Sequence, residues 1–259
     1  RKLNGCSNVE IRCGDGFCPV REETFDCVIC NPPFVIAPDR KTTFRDGEGG
    51  GDTFTRNLIR EVPAVLRNNG FFHAMCNVPR QEGQNLDAAL DGWFGNTGCD
   101  VLVWRERSQS AEEYAMSWIV STESMDPDVV TPRFDEWMEF YEDRGIRQID
   151  YVLITMRKKG GSANWVRVDP GHRTIAGPAG REISRVFDAC DSLANMPDAE
   201  LLGLPAVLAP QARIGQTQRM VDAGMEEVET RVDFHGGSRF SLALDSRLAA
   251  ILSGCDGAT

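Results

Sequence analysis

Apolar residues in this chain gather into short β-branched and aromatic runs, separated by stretches with helical spacing. The run Phe25-Asp26-Cys27-Val28-Ile29-Cys30 reads as a buried strand, and Asn31-Pro32-Pro33-Phe34 ends it abruptly. Upstream, Val9 to Cys13 reads as a strand followed by a Gly14-Asp15-Gly16 turn. The polar, glycine-rich stretch from Ala37 to Gly51 reads as a loop. Asp52 then caps a helix running toward Leu66, bent or restarted at Pro63 and stopped by Asn68-Asn69-Gly70. Gly70 to Val78 predicts a third strand, Asn85 to Trp93 a helix, and Asp100 to Arg105 another strand.

Glu112 to Val120 and Arg133 to Arg144 carry apolar residues at helical spacing, among them Phe134, Trp137, Met138 and Tyr141. Ile146 to Arg157 is long and β-rich. Such alternation implies a three-layer α/β architecture around a mostly parallel sheet. Ligands in such sheets bind outside the carboxyl ends of the strands, where Asp15 and Asn31 both fall. Lys158-Lys159-Gly160-Gly161-Ser162 marks a change of character. It divides a domain over residues 1–160 from a smaller α+β region over 161–259. The latter reads as a strand from Trp165 to Val168 and a helix from Gly180 to about Ala194. A hairpin follows, with strands Glu227 to Phe234 and Arg239 to Leu244 around His235-Gly236-Gly237-Ser238, and then a helix from Ser246 to Leu252 ending at Gly254.

At 259 residues the chain suits one large domain or two small ones. Its net charge of −11 argues against broad, phosphate-driven nucleic-acid binding, while leaving room for a local basic groove. No apolar stretch reaches the roughly 18 to 20 residues of a membrane span, and no signal-peptide pattern opens the chain. Nine cysteines without regular spacing point to a reduced, cytoplasmic protein. Cys27 and Cys30 sit three apart on a strand and so face opposite ways, as core residues rather than a thiol pair. No Cys or His pair stands at zinc-ligand spacing, and no metal is expected. Arg45 to Asp52 has a phosphate-loop look but lacks the Walker lysine, and its carboxylates would repel phosphate, so a substrate-side loop is expected. His73 reads as a core histidine, and His172 and His235 as loop residues. The chain opens at Arg1 without a methionine, close to what reads as the middle of a fold, so a fragment or trimmed chain is expected.

The chemistry centres on Asn31. A residue before proline is pushed out of the helical region, and Pro32 and Pro33 fix their own φ, so the Asn31 backbone is rigid. Its carboxamide both accepts and donates, and Phe34 follows as a flat apolar wall. Such a site suits a planar amide or amino group. A bland alternative is an Asn-Pro turn that merely ends a strand, just as Asp15 between two glycines can serve as a turn former alone.

Asn31-Pro32-Pro33-Phe34 directly after a strand resembles the catalytic loop of class I S-adenosyl-L-methionine-dependent methyltransferases that act on amide or exocyclic amine nitrogens. The segment from Asn4 to Lys158 is similar to the later two-thirds of such a catalytic domain. Its markers are Asn8-Val9-Glu10 leading to Gly14-Asp15, Phe25-Asp26 leading to the loop, Gly50-Gly51-Asp52 opening a helix, and Leu66 through Gly70-Phe71-Phe72 entering a strand. It resembles the "methyltransferase small domain" group, which includes enzymes acting on release-factor glutamine and on RNA adenine or guanine amines. Glu113-Tyr114-Ala115 with Trp118, Gly145-Ile146, and Ile149-Asp150-Tyr151 through Arg157 are most similar to largely actinobacterial members with a C-terminal extension. Leu248 to Gly257 resembles the start of a winged-helix-like segment.

The resemblance implies a Rossmann-like methyltransferase sheet whose first strands, with the glycine-rich cofactor loop, would precede Arg1. It implies S-adenosyl-L-methionine as methyl donor, contacted by Gly14, Asp15, Phe17 and Asn31, with Asp15 accepting from the adenine amine. Asn31, Pro32, Pro33 and Phe34 would form the catalytic loop, with the Asn31 side-chain carbonyl and the Pro32 backbone carbonyl accepting from the target N–H groups. The acceptor would be a protein glutamine or an RNA or DNA base amine, and no membrane is implied. An alternative of another class is a non-catalytic interaction module on the same fold. Nucleic-acid binding through Arg213, Arg219, Arg231 and Arg239 is a third reading, weakened by their dispersal among acids.

Overall fold

Phe25–Cys30 forms β1 where the sequence places it, pairing in parallel with β2 (Leu66–Gln81). It is not the buried strand expected: it ends the sheet order among the described strands, and Ile29 is 79% exposed. Parallel neighbours need a crossover, here helix α1 (Thr53–Val65), and the β1-α1-β2 unit is the building block of a Rossmann-like sheet. The computed structural model describes residues 5–39, 52–161, 164–194, 196–221 and 224–256. Asn4, the glycine-rich stretch from residue 45 to 51, Ser162 and Gly257 lie outside the described residues.

Helix α1 buries Thr55, Leu58, Ile59, Val62 and Val65 along one stripe. It stops at Val65, earlier than Asn68-Asn69-Gly70 suggests. Lys158 Nζ donates to the carbonyls of Pro63 (2.7 Å) and Leu66 (2.9 Å), filling acceptors at the helix end. The Asn-Asn-Gly signal is spent inside β2. Asn69 is left-handed (φ 62°), and a Cβ at Gly70 would sit 2.9 Å from both the Phe25 and the Arg67 carbonyl oxygens. The β1–β2 register shifts there, between Phe25 and Cys27.

The sheet is mixed, a correction to the mostly parallel arrangement expected. Its order is β1-β2-β4-β3-β5, with β3 at Cys99–Ser110, β4 at Ile146–Lys158 and β5 at Val166–His172. β4 runs antiparallel to both β2 and β3, between which it lies. Near-continuous apolar runs mark β2 and β4 as central strands, but such runs do not encode a neighbour's direction. Val9 to Cys13 is no strand: Val9 and Ile11 are 42% and 78% exposed, and no described strand pairs with them. A pattern of alternation becomes a strand only with a ladder partner.

One face of the sheet, including Phe72, Ala74, Val101, Val103, Ile154 and Met156, packs on α1, on α2 (Leu86–Ala89) and on Trp93. Helix α2 is shorter than the Asn85 to Trp93 expectation. Asn85 caps it, but Leu90 leaves helical geometry and Gly92 turns left-handed (φ 71°). The other face receives α3 (Ala111–Thr122) and α4 (Pro127–Asp143), whose Tyr114, Ile119, Trp137 and Tyr141 meet Ile36 and Ile149. Ser110 and Glu113 form a capping box that starts α3. Two ion pairs are buried on the sheet, Asp100 with Arg157 (2.8 Å) and Asp150 with Arg80 (2.5 Å).

The chain divides into two compact units, Arg1–Pro170 and Gly171–Thr259, with the division inside β5. The second unit carries an antiparallel sheet ordered β6-β9-β8-β7: β6 Thr174–Ile175, β7 Ala212–Val221, β8 Gly224–His235, β9 Ser238–Leu244. The β8–β9 hairpin turns at the Gly236-Gly237 pair the sequence marks. A Cβ at Gly237 would lie 2.0 Å from the Pro178 carbonyl oxygen. Strand β7 escaped the sequence reading because it is mostly polar and exposed beyond Ala212. Helices α5 (Gly180–Leu193), α6 (Asp198–Leu201) and α7 (Ser246–Ser253) complete the unit, and its small core holds Ala212, Val232 and Leu244. Among the described residues, no helix is long and apolar enough to cross a membrane.

Candidate functional site

Two loops build the site. The first is the turn at Gly14-Asp15-Gly16-Phe17. A Cβ at Gly14 would lie 2.3 Å from Pro19 Cγ, so the close approach demands glycine, and Gly16 takes a left-handed φ of 49°. The Asp15 carbonyl accepts from Cys18 N–H (2.9 Å) and the Phe17 carbonyl from Val20 N–H (3.0 Å), closing a short 3-10 helix at Cys18–Val20. Arg12 braces it from below, donating to the Pro19 carbonyl (3.2 Å) and pairing with Glu10 (2.7 Å) and Glu23. Phe17 packs against the core beneath α1.

The second loop leaves the carboxyl end of β1. Asn31 is exposed, Pro32 buried and Pro33 half-buried, while Phe34 packs against both core clusters. Behind them the peptide groups of Ile36 are held from two helices. Ile36 N–H donates to the Tyr114 hydroxyl (3.2 Å), and the Tyr141 hydroxyl donates to the Ile36 carbonyl (2.7 Å). Asn77 Nδ2, on β2, also donates to the Tyr114 oxygen (2.5 Å). Burial raises the Tyr114 pKa well above the ordinary phenol value, so the group stays neutral. Arg133 pairs with Asp39 (3.1 Å), Glu123 (2.6 Å) and Glu136, and its Glu123 and Glu136 bonds hold the guanidinium charged.

The two loops meet at a cavity of about 700 Å³. Asp15, Gly16 and Phe17 line it from the first loop, Pro33 from the second, with Cys18 and Arg21 at the side. The remaining wall is one stripe of α1: Phe54, Asn57, Leu58, Glu61, Ala64 and Val65, with Arg60. Asp15 and Glu61 offer carboxylate acceptors, Arg21, Arg60 and Asn57 offer donors, and Phe17 and Phe54 offer apolar ring faces. A few polar groups on an apolar-sided cavity of this size suit a flat polar ligand.

Of the residues singled out from the sequence, the structure brings Asp15, Phe17 and Pro33 to this cavity. Gly14, Asn31, Pro32 and Phe34 do not line it. The α1 stripe was missed, although its i, i+3, i+4, i+7 spacing was legible. That Tyr114, Tyr141 and Asn77 join in one hydrogen-bonded group left no local signal, because hydroxyls and a carboxamide on separate elements meet only in three dimensions.

His73 is half-buried, with Nδ1 3.0 Å from Thr155 Oγ1, and burial lowers its pKa. Cys27 is exposed, while Cys30 packs on the core. Among the described residues no group of three or more His, Cys, Asp or Glu is arranged to hold a metal ion.

No protein-family model and no curated protein sequence matches the chain. Among solved structures it is similar to a protein described as a sarcosine dimethylglycine methyltransferase from Galdieria sulphuraria, at 13% identity and a TM-score of 0.33, covering 61% of this chain and 62% of that one. It is also similar to the cyclase SpnF, at 17% identity and a TM-score of 0.31, covering 62% of this chain and 60% of that one. The chain thus spans about three fifths of the length of both structures. Likeness at this level decides neither the fold nor the chemistry.

Proposed function

We propose that this chain carries the adenine-side turn and the acceptor loop of an S-adenosylmethionine-dependent N-methyltransferase. The observation that carries this is the convergence of Asp15-Gly16-Phe17 and Pro33 on one cavity at the carboxyl end of β1. The cavity residues suit an adenine: a carboxylate to accept from its amine, and two aromatic rings beside it. When bound, S-adenosylmethionine supplies an electrophilic methyl group at a cationic sulfur.

The work of this chain's own residues is orientation. The Asn31 side-chain carbonyl and the Pro32 backbone carbonyl accept hydrogen bonds from the N–H groups of an amide or exocyclic amine, directing the nitrogen lone pair. No ionised base would be needed before transfer, since the nitrogen at the exposed Asn31 would shed its extra proton to water once methylated; acceleration comes from placement and fixed dipoles. Phe34 adds rigidity by packing against both cores. The acceptor is a protein glutamine or a nucleic-acid base amine, and the acidic balance of the chain favours the protein.

Calorimetry with adenosine and S-adenosylhomocysteine, on a version of the chain extended upstream by the first strands that the resemblance implies, tests the reading. Both should bind saturably, and Asp15→Ala should weaken binding about tenfold, the effect of losing one hydrogen bond to a charged group. Asn31→Ala should leave binding within about twofold yet abolish transfer of labelled methyl to a cell extract, because its effect is confined to the transition state. Silence at millimolar ligand would overturn the enzyme reading in favour of a non-catalytic interaction module.

A further inference from the structure

We propose that Tyr114 and Tyr141 are positioning residues, which fix the Asn31–Phe34 loop from behind by holding both peptide groups of Ile36. The role rests on the methyltransferase reading above.

The Ile36 N–H donates to one phenol and its carbonyl accepts from the other, at 3.2 and 2.7 Å. The two tyrosines come from different helices, α3 and α4, and both are fully buried with Ile36. A loop residue bonded on both its donor and its acceptor side cannot rotate or slide without breaking one bond. Only Pro33, Phe34 and Val35 separate this anchor from Pro32, and prolines have little freedom to absorb a shift. Displacement at Ile36 is therefore passed to Asn31.

The network is costlier than folding alone requires. Asn77 sits fully buried on β2, donates to the Tyr114 oxygen, and leaves its own Oδ1 without a hydrogen-bond partner. Burying a half-satisfied carboxamide is unfavourable, and an apolar residue would pack there at lower cost. Its effect is to hold the Tyr114 oxygen where the Ile36 N–H meets it. Arg133 adds a second anchor at Asp39, three residues on.

The test compares Tyr114→Phe and Tyr141→Phe, which remove only the hydroxyls, with Ile119→Val, a change in the same core cluster. Three measurements are made on each, in the version extended upstream: thermal stability, amide hydrogen exchange at Ile36, and S-adenosylhomocysteine affinity alongside methyl transfer to a cell extract. Each Phe variant is expected to exchange at Ile36 at least tenfold faster than wild type. Each should also lose at least tenfold in methyl transfer, while binding S-adenosylhomocysteine within about threefold. Ile119→Val, at a similar loss of stability, should keep both exchange and transfer. Unchanged exchange at Ile36, or a loss of transfer no greater than in Ile119→Val, would overturn the positioning role. A wild-type chain extended upstream that neither binds nor transfers would overturn the enzyme reading and the catalytic role with it, while exchange at Ile36 would still decide whether the anchor exists.

Discussion

Glycine and tyrosine carry the residue-scale logic, one by what it lacks and the other by a single oxygen. Gly14 lets the turn close on Pro19, with only 2.3 Å available to a Cβ. Gly14→Ala is therefore expected to destabilise the chain by about 1–3 kcal/mol, as overpacking against a rigid ring does. Gly95→Ala meets nothing within 4 Å and should stay within about 0.5 kcal/mol of wild type. Denaturant unfolding of both variants checks the contrast, and equal midpoints would refute it. This need for glycine exists without a ligand, so the Gly14-Asp15-Gly16 pattern alone could not separate a turn from a binding turn. In the folded chain Asp15 lines the cavity and Gly14 does not. Asn31 was legible as a rigid carboxamide, but the hydroxyls that fix its loop were not. They lie 78 and 105 residues from Ile36 in sequence.

Elements follow the same division. Helix α1 was predicted closely because its apolar stripe and following strand are local, although the Asp52 side chain pairs with Arg56 (2.8 Å) and makes no capping bond. It ends at Val65, one residue short of the Leu66 expected, but the group that satisfies its last carbonyls comes from the far end of β4 and left no local signal. Lys158→Met keeps the aliphatic stem and removes both donations to Pro63 and Leu66. It should cost about 1–2 kcal/mol, the range for hydrogen bonds from a charged donor together with a cation at a helix carboxyl end. The loss should appear as faster amide exchange in the last turn of α1; unaltered protection there would show that the lysine is ornamental. Helix α2 failed as a long helix because three glycines between Asp91 and Cys99 outweigh the periodicity of Leu86, Leu90 and Trp93.

At the scale of the whole molecule the two units differ in core size, and their probes differ as well. All five tryptophans (93, 104, 118, 137 and 165) lie in the first unit. The second holds a buried cluster of Ala212, Val232 and Leu244 beside partly buried neighbours. Circular dichroism is expected to show two unfolding transitions and tryptophan fluorescence one, coincident with the later; superimposable curves from both probes would refute independent unfolding. The sequence by itself determined where β1, α1, β4 and the β8–β9 hairpin form, and that a rigid Asn-Pro-Pro-Phe loop ends β1. Those are properties of spacing and of backbone restriction, which act over a few residues. Only the tertiary structure decided that β4 inserts antiparallel between β2 and β3, that Val9 to Cys13 finds no partner among the described strands, and that Asp15, Phe17 and Pro33 share one cavity. Strand neighbours and convergent side chains depend on which distant segments bury each other's apolar faces, and no local pattern records that choice.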